Sequence, residues 1–291
     1  MSMVRLWLIA FALISAIGPA HAAERLNVVA SFSIIGDFVR NVGGDSVAVT
    51  TLVGPDGDAH VYSPTPADAK RVADAKLVFV NGLGFEGWLS RLLKSAGSKA
   101  SVVTTTNGIT PLKFGSEADP HAWQSAANAK IYVANIRNAL AAAAPEQADS
   151  FTANANAYLA ELDALDREVR DAVAKIPESR RKVISTHSAF GYFANAYGIA
   201  FIAPLGVSTE SEASARDVAR IITQIRSAKI PAVFVENITD PRLIGRIAAE
   251  TGAKVGGTLY SDSLTGQKGD SPTYIAMVRH NIRALTSALS Q

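Results

Sequence analysis

Histidine is scarce in this chain of 291 residues, which contains only five. Three of them stand in turn-rich loops: His60 in GDAHVYSPTP, His121 in ADPHAWQS and His187 in STHSAFGYF. His60 and His187 each follow an apolar, strand-like run, and His121 lies in a loop that enters a predicted helix. Ligands of open α/β sheets bind outside the carboxyl ends of the strands. We therefore expect the three imidazoles to share one binding site.

The other two histidines are expected to have no part in such a site. His21 belongs to an N-terminal segment that we expect to be cleaved from the mature protein. His280 lies in TYIAMVRHNIRAL, whose apolar spacing predicts a C-terminal amphipathic helix. We expect His280 to be a surface or helix-packing residue.

A carboxylate is the expected fourth partner of the three imidazoles. Asp262 in LYSDSL follows the apolar run 253–260 and so occupies the same kind of strand-end position. Glu236, at the end of the run 231–236, is its strongest rival. It can instead orient an imidazole by hydrogen bonding, or serve as a buried structural acid. The other acidic candidates are expected to be mostly solvated, namely Asp58, Asp119, Glu210 and Glu212.

Three imidazoles and one carboxylate suit a tetrahedral divalent ion such as Zn²⁺, with bonds of about 2.0–2.2 Å. The chain has no cysteine, so any metal site in it must use nitrogen and oxygen ligands. His60 and His121 come from the first half of the sequence, whereas His187 and Asp262 come from the second. We therefore expect the metal to lie between two lobes, each of which supplies two ligands.

Short runs rich in β-branched residues predict the strands that must position these side chains. Helical patterns separate most of the runs, and strands that alternate with helices on this scale indicate βαβ units with parallel sheets. The predicted strands are 26–31, 47–53, 75–81, 101–105, 181–186, 199–204, 231–236 and 253–260. We therefore predict an α/β protein whose two halves each contain a parallel sheet.

A long helix is predicted between the two sets of strands. Apolar residues recur at helical spacing from Phe151 to Val173, and Pro177 ends the pattern. A helix of about 30 residues spans about 45 Å, which suits a rigid spine between two lobes. A helix inside one larger domain is the alternative. The predicted division is an N-terminal lobe at 23–144, a linker helix at 145–176 and a C-terminal lobe at 177–291.

Residues 1–22 have the features of a secretory signal peptide. Arg5 precedes the apolar stretch 6–17, and Ala20, His21 and Ala22 form an A-x-A cleavage site. The apolar stretch is too short to span a membrane, although a membrane anchor is the alternative. We therefore expect export. No cysteine follows the cleavage site, so we expect no lipid anchor.

Composition excludes some classes of partner. The formal net charge is +2, and the basic residues are scattered along the chain rather than clustered. We therefore expect no nucleic-acid partner. With 48% hydrophobic residues and no cysteine for disulfides, the stability of the exported protein must come from packing.

Six stretches of the sequence carry a resemblance to a known family. They are GDAHVYSPTPAD, DPHAWQSAANAKIYVANI, STHSAFGYFANAYG, GVSTESEASARD, VFVENITDPRL and LYSDSL…GDSPTYIAMVRHNIRAL. Together they resemble the cluster A-I, or TroA-like, receptors, which are periplasmic solute-binding proteins of ABC importers for zinc or manganese. The resemblance covers essentially the whole mature chain. It implies two (βα)₄-like lobes joined by one long backbone helix, a membrane permease as partner, and His60, His121, His187 and Asp262 as metal ligands.

Zinc and manganese receptors of this family differ in ways that bear on this chain. Many zinc receptors carry a loop rich in histidine and acidic residues before the second ligand, and here that stretch is only LKFGSEADPH. Manganese receptors usually place glutamate where His187 stands. Imidazole favours zinc over the harder manganese ion, and affinity rises towards zinc along the divalent series. We therefore predict a zinc receptor, with a manganese receptor as the alternative.

A zinc hydrolase and an adhesin are the less favoured functions. Catalytic zinc commonly has three protein ligands and keeps one position open for water. The sequence lacks H-E-x-x-H and G-x-S-x-G motifs, and no nucleophile elbow surrounds Ser185 or Ser188 beside His187. We therefore predict that the protein is not an enzyme. We also expect it to be a monomer. The sequence leaves open whether a metallochaperone loads it.

Overall fold

The computed structural model describes residues 25–290, so the predicted signal peptide at 1–22 lies outside the described residues. Residues 25–290 form two four-stranded sheets, a two-stranded hairpin and the helices that surround them. This arrangement confirms the predicted α/β fold with two parallel-sheet lobes. None of the helices in the described part of the chain is long and apolar enough to cross a membrane.

The first sheet is built from the N-terminal half of the chain. Its strands are β1 (Leu26–Phe32), β2 (Val47–Val53), β3 (Leu77–Val80) and β4 (Ser101–Thr104). They are all parallel and lie in the order β2-β1-β3-β4. The two central strands, β1 and β3, are buried along most of their length, because helices cover both faces of the sheet.

A small antiparallel hairpin follows the first sheet. It consists of β5 (Lys113–Phe114) and β6 (Glu117–Ala118), joined by a turn in which Gly115 has a positive φ of 61°. The sequence predicted no strands here, because two-residue strands are too short to show an apolar period. The hairpin forms the short stretch that precedes His121.

The second sheet is built from the C-terminal half. Its strands are β7 (Lys182–Ile184), β8 (Ala200–Ile202), β9 (Ala232–Glu236) and β10 (Lys254–Leu259). They are parallel and lie in the order β10-β9-β7-β8, so each sheet has the order 2-1-3-4 when its own strands are counted along the chain. The strand order reverses between the first and third strands of each sheet, where open α/β sheets bind ligands.

Helices cover the sheets and connect their strands. They are α1 (Ser33–Gly43), α2 (Pro66–Asp74), α3 (Leu89–Ser95), α4 (Ala126–Ala143), α5 (Ala148–Ala174), α6 (Gly191–Tyr197), α7 (Ala215–Ala228), α8 (Arg242–Thr251) and α9 (Tyr274–Leu289). A capping box begins α2: the Thr65 hydroxyl accepts from the Asp68 N–H, and the Asp68 carboxylate accepts from the Thr65 N–H. Pro66 is the first helical residue. The cap therefore fixes the end of the loop that contains His60.

The predicted linker helix is α5, which has 27 residues and begins after a 3₁₀ turn at Pro145–Gln147. Its length is about 40 Å at 1.5 Å per residue. Helices α1, α4 and α9 pack against it. The apolar positions with helical spacing are its buried residues: Phe151, Ala155, Tyr158, Leu162, Leu165, Val169 and Val173.

The largest hydrophobic core includes side chains from both halves of the chain. The ring of Phe38 in α1 lies 6.2 Å from Tyr158 in α5 and 4.8 Å from Tyr274 in α9. The last helix of the chain therefore packs on the first lobe as well as on the linker. The division at 144 and 177 remains a prediction.

Several predicted strands are longer than the observed ones. The run 181–186 forms a strand only from Lys182 to Ile184. The chain leaves the sheet early because the N–H groups of Thr186 and His187 donate to the Glu236 carboxylate, at 2.8 and 2.9 Å, instead of to a neighbouring strand. The residues lost from the strand thus build the loop that contains His187.

Candidate metal centre

The four side chains predicted to bind metal come together between the two sheets. His60 lies in the loop after β2, and His121 immediately precedes the 3₁₀ turn that leads into α4. His187 and Asp262 lie in the loops after β7 and β10. One ligand atom from each residue lies within 4.8 Å of every other.

The Nε2 atoms of the three imidazoles lie close together. Nε2 of His121 lies 3.4 Å from Nε2 of His60 and 3.3 Å from Nε2 of His187. Oδ2 of Asp262 lies 3.2 Å from Nε2 of His60 and 3.1 Å from Nε2 of His187. Ligands at about 2.0–2.2 Å from a tetrahedral ion lie about 3.3–3.6 Å apart, so these four spacings are near those around such an ion, and the most distant pair of the cluster lies within 4.8 Å.

The centre is closed to solvent. His60 is 7% exposed, and His121, His187 and Asp262 are fully buried. Oδ1 of Asp262 is buried without a hydrogen-bond partner in the described part of the chain, and it lies 3.7 Å from Nε2 of His121. An unpaired carboxylate oxygen in the interior is costly, and a bound cation satisfies it.

Two of the predicted ligands share a local motif, Asp-x-His. In each, Oδ1 of the aspartate accepts from the histidine backbone N–H at 2.9 Å: Asp58 for His60, and Asp119 for His121. The turn that results fixes the histidine backbone two residues after the aspartate. The repeated D-x-H spacing is visible in the sequence and is the signal that sequence reasoning missed.

Asp119 has a further role, and the expectation that it is solvated is wrong. It is 4% exposed, and its Oδ1 lies 2.8 Å from Nδ1 of His121. This contact places the proton on Nδ1 and leaves Nε2 free for a metal. The space beside the carboxylate exists because residue 191 is glycine: a Cβ there would lie 2.5 Å from Oδ2 of Asp119.

Glu236 supports His187 in the same way. Its Oε2 lies 2.5 Å from Nδ1 of His187, as a close ion-pair contact whose geometry is not that of an aligned hydrogen bond. Its Oε1 accepts from the backbone N–H groups of Thr186 and His187. Glu236 is fully buried and holds both the loop and the ring. Of its two expected roles, the structure favours that of an orienting partner.

The buried charges shift the pKa values of three of the predicted ligands. Burial lowers the pKa of His187, but the carboxylates of Glu236 and Asp262 outweigh this effect and raise that pKa well above its usual value. His121 behaves alike, because Asp262 and Asp119 overcome its desolvation and raise its pKa. Burial opposes ionisation of Asp262, yet the two imidazoles hold its pKa well below the usual range.

Aromatic rings form the apolar wall of the centre. The Phe85 ring lies 4.7 Å from His60, and the Trp123 ring lies 5.3 Å from His121. The Trp123 indole N–H also donates to the carbonyl of Ser261, at 2.9 Å, and so braces the residue before Asp262. Sequence reasoning missed these residues, because aromatic side chains in loops carry no period.

The remaining histidine and acidic candidates lie outside the cluster. His280 is on α9, with Nε2 at 3.1 Å from the carbonyl of Thr258, which agrees with a helix-packing role. Glu210 and Glu212 are exposed in the loop before α7. Asp58 contributes through the backbone of His60 and is no part of the converging group.

The chain is similar to known proteins over nearly its whole length. Residues 28–288 match the family described as zinc-uptake complex component A, periplasmic. The iron-binding protein YfeA of Yersinia pestis is 35% identical, over 98% of this chain and 93% of its own length. The manganese-binding lipoprotein MntA of Bacillus subtilis is 36% identical, over 92% of this chain and 91% of its own.

Solved structures show the same fold. The periplasmic zinc-binding protein TroA of Treponema pallidum has a TM-score of 0.88 and 31% identity, over 92% of this chain and all of its own. A manganese-bound periplasmic metal-binding protein of Candidatus Liberibacter asiaticus has a TM-score of 0.82 and 33% identity, over 90% and 98%. The chain therefore belongs to the zinc-uptake component A, or TroA-like, family of periplasmic metal-binding receptors of ABC importers.

Proposed function

We propose that this receptor captures Zn²⁺ between its two lobes through His60, His121, His187 and Asp262, and delivers it to a membrane permease. The convergence of three Nε2 atoms and one carboxylate oxygen in a closed, buried cluster carries the proposal. Four protein ligands leave no position that must be filled by water, which suits binding and transport rather than catalysis. We propose that the receptor acts as a monomer, and that the ion is its cargo.

The chemistry of the ligands supports zinc. Three of the four groups are imidazoles, which bind zinc well, and a tetrahedral arrangement is typical of zinc. The carboxylates of Asp119 and Glu236 make two of these imidazoles more basic and therefore stronger ligands. Manganese prefers more ligands, and more of them oxygen.

Manganese is the second candidate, and two observations favour it. MntA of Bacillus subtilis is named for manganese, and one similar structure contains it. Both oxygens of Asp262 face imidazole nitrogens, at 3.1 and 3.7 Å, so the carboxylate can bind through both and add a fifth ligand. This would bring the site closer to the coordination that manganese prefers.

Competition between the two metals tests the choice. We expect the mature protein, stripped with chelator and dialysed against equal zinc and manganese, to retain about one zinc per chain and at least about tenfold less manganese. Elemental analysis of the protein measures both. Manganese in excess over zinc would overturn the zinc assignment and leave the receptor function standing.

Replacing His60 by alanine tests the least buried ligand. Zinc affinity should fall by more than about 100-fold, because loss of a ligand costs more than loss of a partner that orients one. The metal-free variant should unfold within a few degrees of the parent, since His60 lies in a loop and belongs to no helix or strand. A competing fluorescent chelator measures affinity, and His280→Ala is the matched control. Unchanged affinity would exclude His60 as a ligand.

A further inference from the structure

The metal centre is sealed, so an ion enters or leaves it only when part of its wall moves. Its most exposed ligand, His60, is only 7% exposed. A contact in the wall nearest to His60 is therefore suited to govern release. The inference that follows rests on the proposed metal-binding function.

Asp58 joins the loop that contains His60 to the C-terminal half. Its Oδ1 accepts from the His60 backbone N–H at 2.9 Å, and its Oδ2 accepts from the hydroxyl of Thr209 at 2.6 Å. Thr209 is 151 residues further along the chain. One carboxylate thus connects a ligand of the first lobe to a loop of the second.

Thr209 lies in the segment 203–214, between β8 and α7. The start of this segment is anchored within its own lobe, because the Ser188 N–H donates to the carbonyl of Gly206 at 2.9 Å. The next part of the segment, residues 207–213, has one hydrogen bond to the N-terminal half among the described residues. That bond is the one between Thr209 and Asp58. Loss of this one bond would leave the outer part of the segment without a hydrogen bond to the first lobe.

A crevice of about 800 Å³ opens beside this bond. Asp58 and Thr209 line it, together with Thr186, which immediately precedes His187. The crevice therefore reaches the neighbours of two ligands. Its other charged lining residues are Glu212, Asp240, Arg242, Arg246 and Glu250. Together with Asp58, the crevice has four acidic and two basic side chains. This excess of negative charge attracts a cation to the crevice.

We propose that the Thr209–Asp58 hydrogen bond is a latch between the lobes, which positions His60 and sets the rate of metal release. When it is closed, the Asp58 carboxylate holds the His60 backbone and the 203–214 segment together. When it opens, the His60 loop and the segment separate at the crevice. Thr209 is thus a positioning residue that acts through Asp58.

Release kinetics of the zinc-loaded protein test the latch. Thr209→Val keeps the shape of the side chain and removes the hydroxyl, so release to excess chromogenic chelator in stopped flow should be about tenfold faster. Thr209→Ser should restore the parent rate within about twofold, because it keeps the donor. Ser211→Ala, two residues along the same segment, is the matched control and should not change the rate.

A double-mutant cycle separates the latch from a general structural effect. In an Asp58→Ala background, Thr209→Val should accelerate release no further, since the acceptor is already gone. Equal release from the parent and Thr209→Val, or a Thr209→Ser variant as fast as Thr209→Val, would overturn the latch. If the parent retains no metal by elemental analysis, the proposed function fails as well, so the two failures are distinguishable.

Discussion

Asp262→Ala should lower zinc affinity by more than about 100-fold, beyond the cost of losing a partner that only orients a ligand. Asp262 is the one anion among the four proposed ligands, it is fully buried, and it contacts His60 and His187 within 3.2 Å. Without it, three neutral imidazoles face the ion and the fourth position is open. Titration against a competing zinc chelator measures the change, with the exposed Asp270→Ala as control.

The same variant distinguishes a receptor from a hydrolase. A catalytic zinc site works with three protein ligands and a water. Undiminished affinity in Asp262→Ala, with water in the fourth position, would therefore support an enzyme and contradict a closed transport site. Thermal unfolding of the metal-free variant establishes that it folds.

Zinc should raise the unfolding midpoint of the protein by about 10 °C at pH 8. An ion at about 1,000 times its dissociation constant stabilises the folded state by about 4 kcal/mol. In a chain of this size, 1 kcal/mol corresponds to about 2–4 °C. Calorimetry with and without zinc measures the shift, and Asp262→Ala should largely abolish it.

The shift should shrink as pH falls from 8 to 5. Burial lowers the pKa of both imidazoles, but Glu236 and Asp262 raise that of His187, and Asp262 and Asp119 raise that of His121. In the metal-free protein both imidazoles therefore keep their protons to a higher pH than an ordinary histidine does. Zinc must displace these protons. Protonation stabilises the metal-free fold at low pH, and this contribution is lost as pH rises through the raised values. Zinc therefore stabilises the folded protein more at pH 8 than at pH 5.

Comparing midpoints with and without zinc at each pH cancels titrating groups outside the centre. Because the two pKa values are raised, the loss of zinc stabilisation should begin above the pKa of about 6.5 of an ordinary histidine. An equal shift at pH 5 and pH 8 would contradict this coupling. It would mean that neither imidazole exchanges a proton for the metal.

The sequence was sufficient to predict the eight strands of the two parallel sheets, the long helix and the four side chains that converge between the sheets. Strand β2 and the buried stripe of α5 follow directly from apolar runs and helical spacing. Both sheets are parallel, so the loops that follow their strands meet at one edge and bring distant side chains together. That His60 and Asp262, some 200 residues apart, lie within 3.2 Å follows from the topology.

What could not be predicted is mostly polar contact between distant segments. Asp119 looks like a loop acid in the sequence, and only the fold shows it buried against His121. The Asp58–Thr209 bond joins residues that no local pattern relates. The ends of strands also differ from the predicted ones. After β7, the backbone N–H groups of Thr186 and His187 bond to Glu236 instead of to a neighbouring strand.

The contact of α9 with α1 has a consequence for how the protein matures. Phe38 is covered by Tyr274, more than 230 residues later, so the core of the first lobe is completed only by the last helix. Contacts of such long sequence separation slow folding, since loop closure must come first. In the export that we expect from the predicted signal peptide, a chain that leaves the membrane from its N-terminus would therefore stay incompletely folded until nearly all of it had been translocated. Its metal centre would form only after export was complete, in contact with the metals of the periplasm.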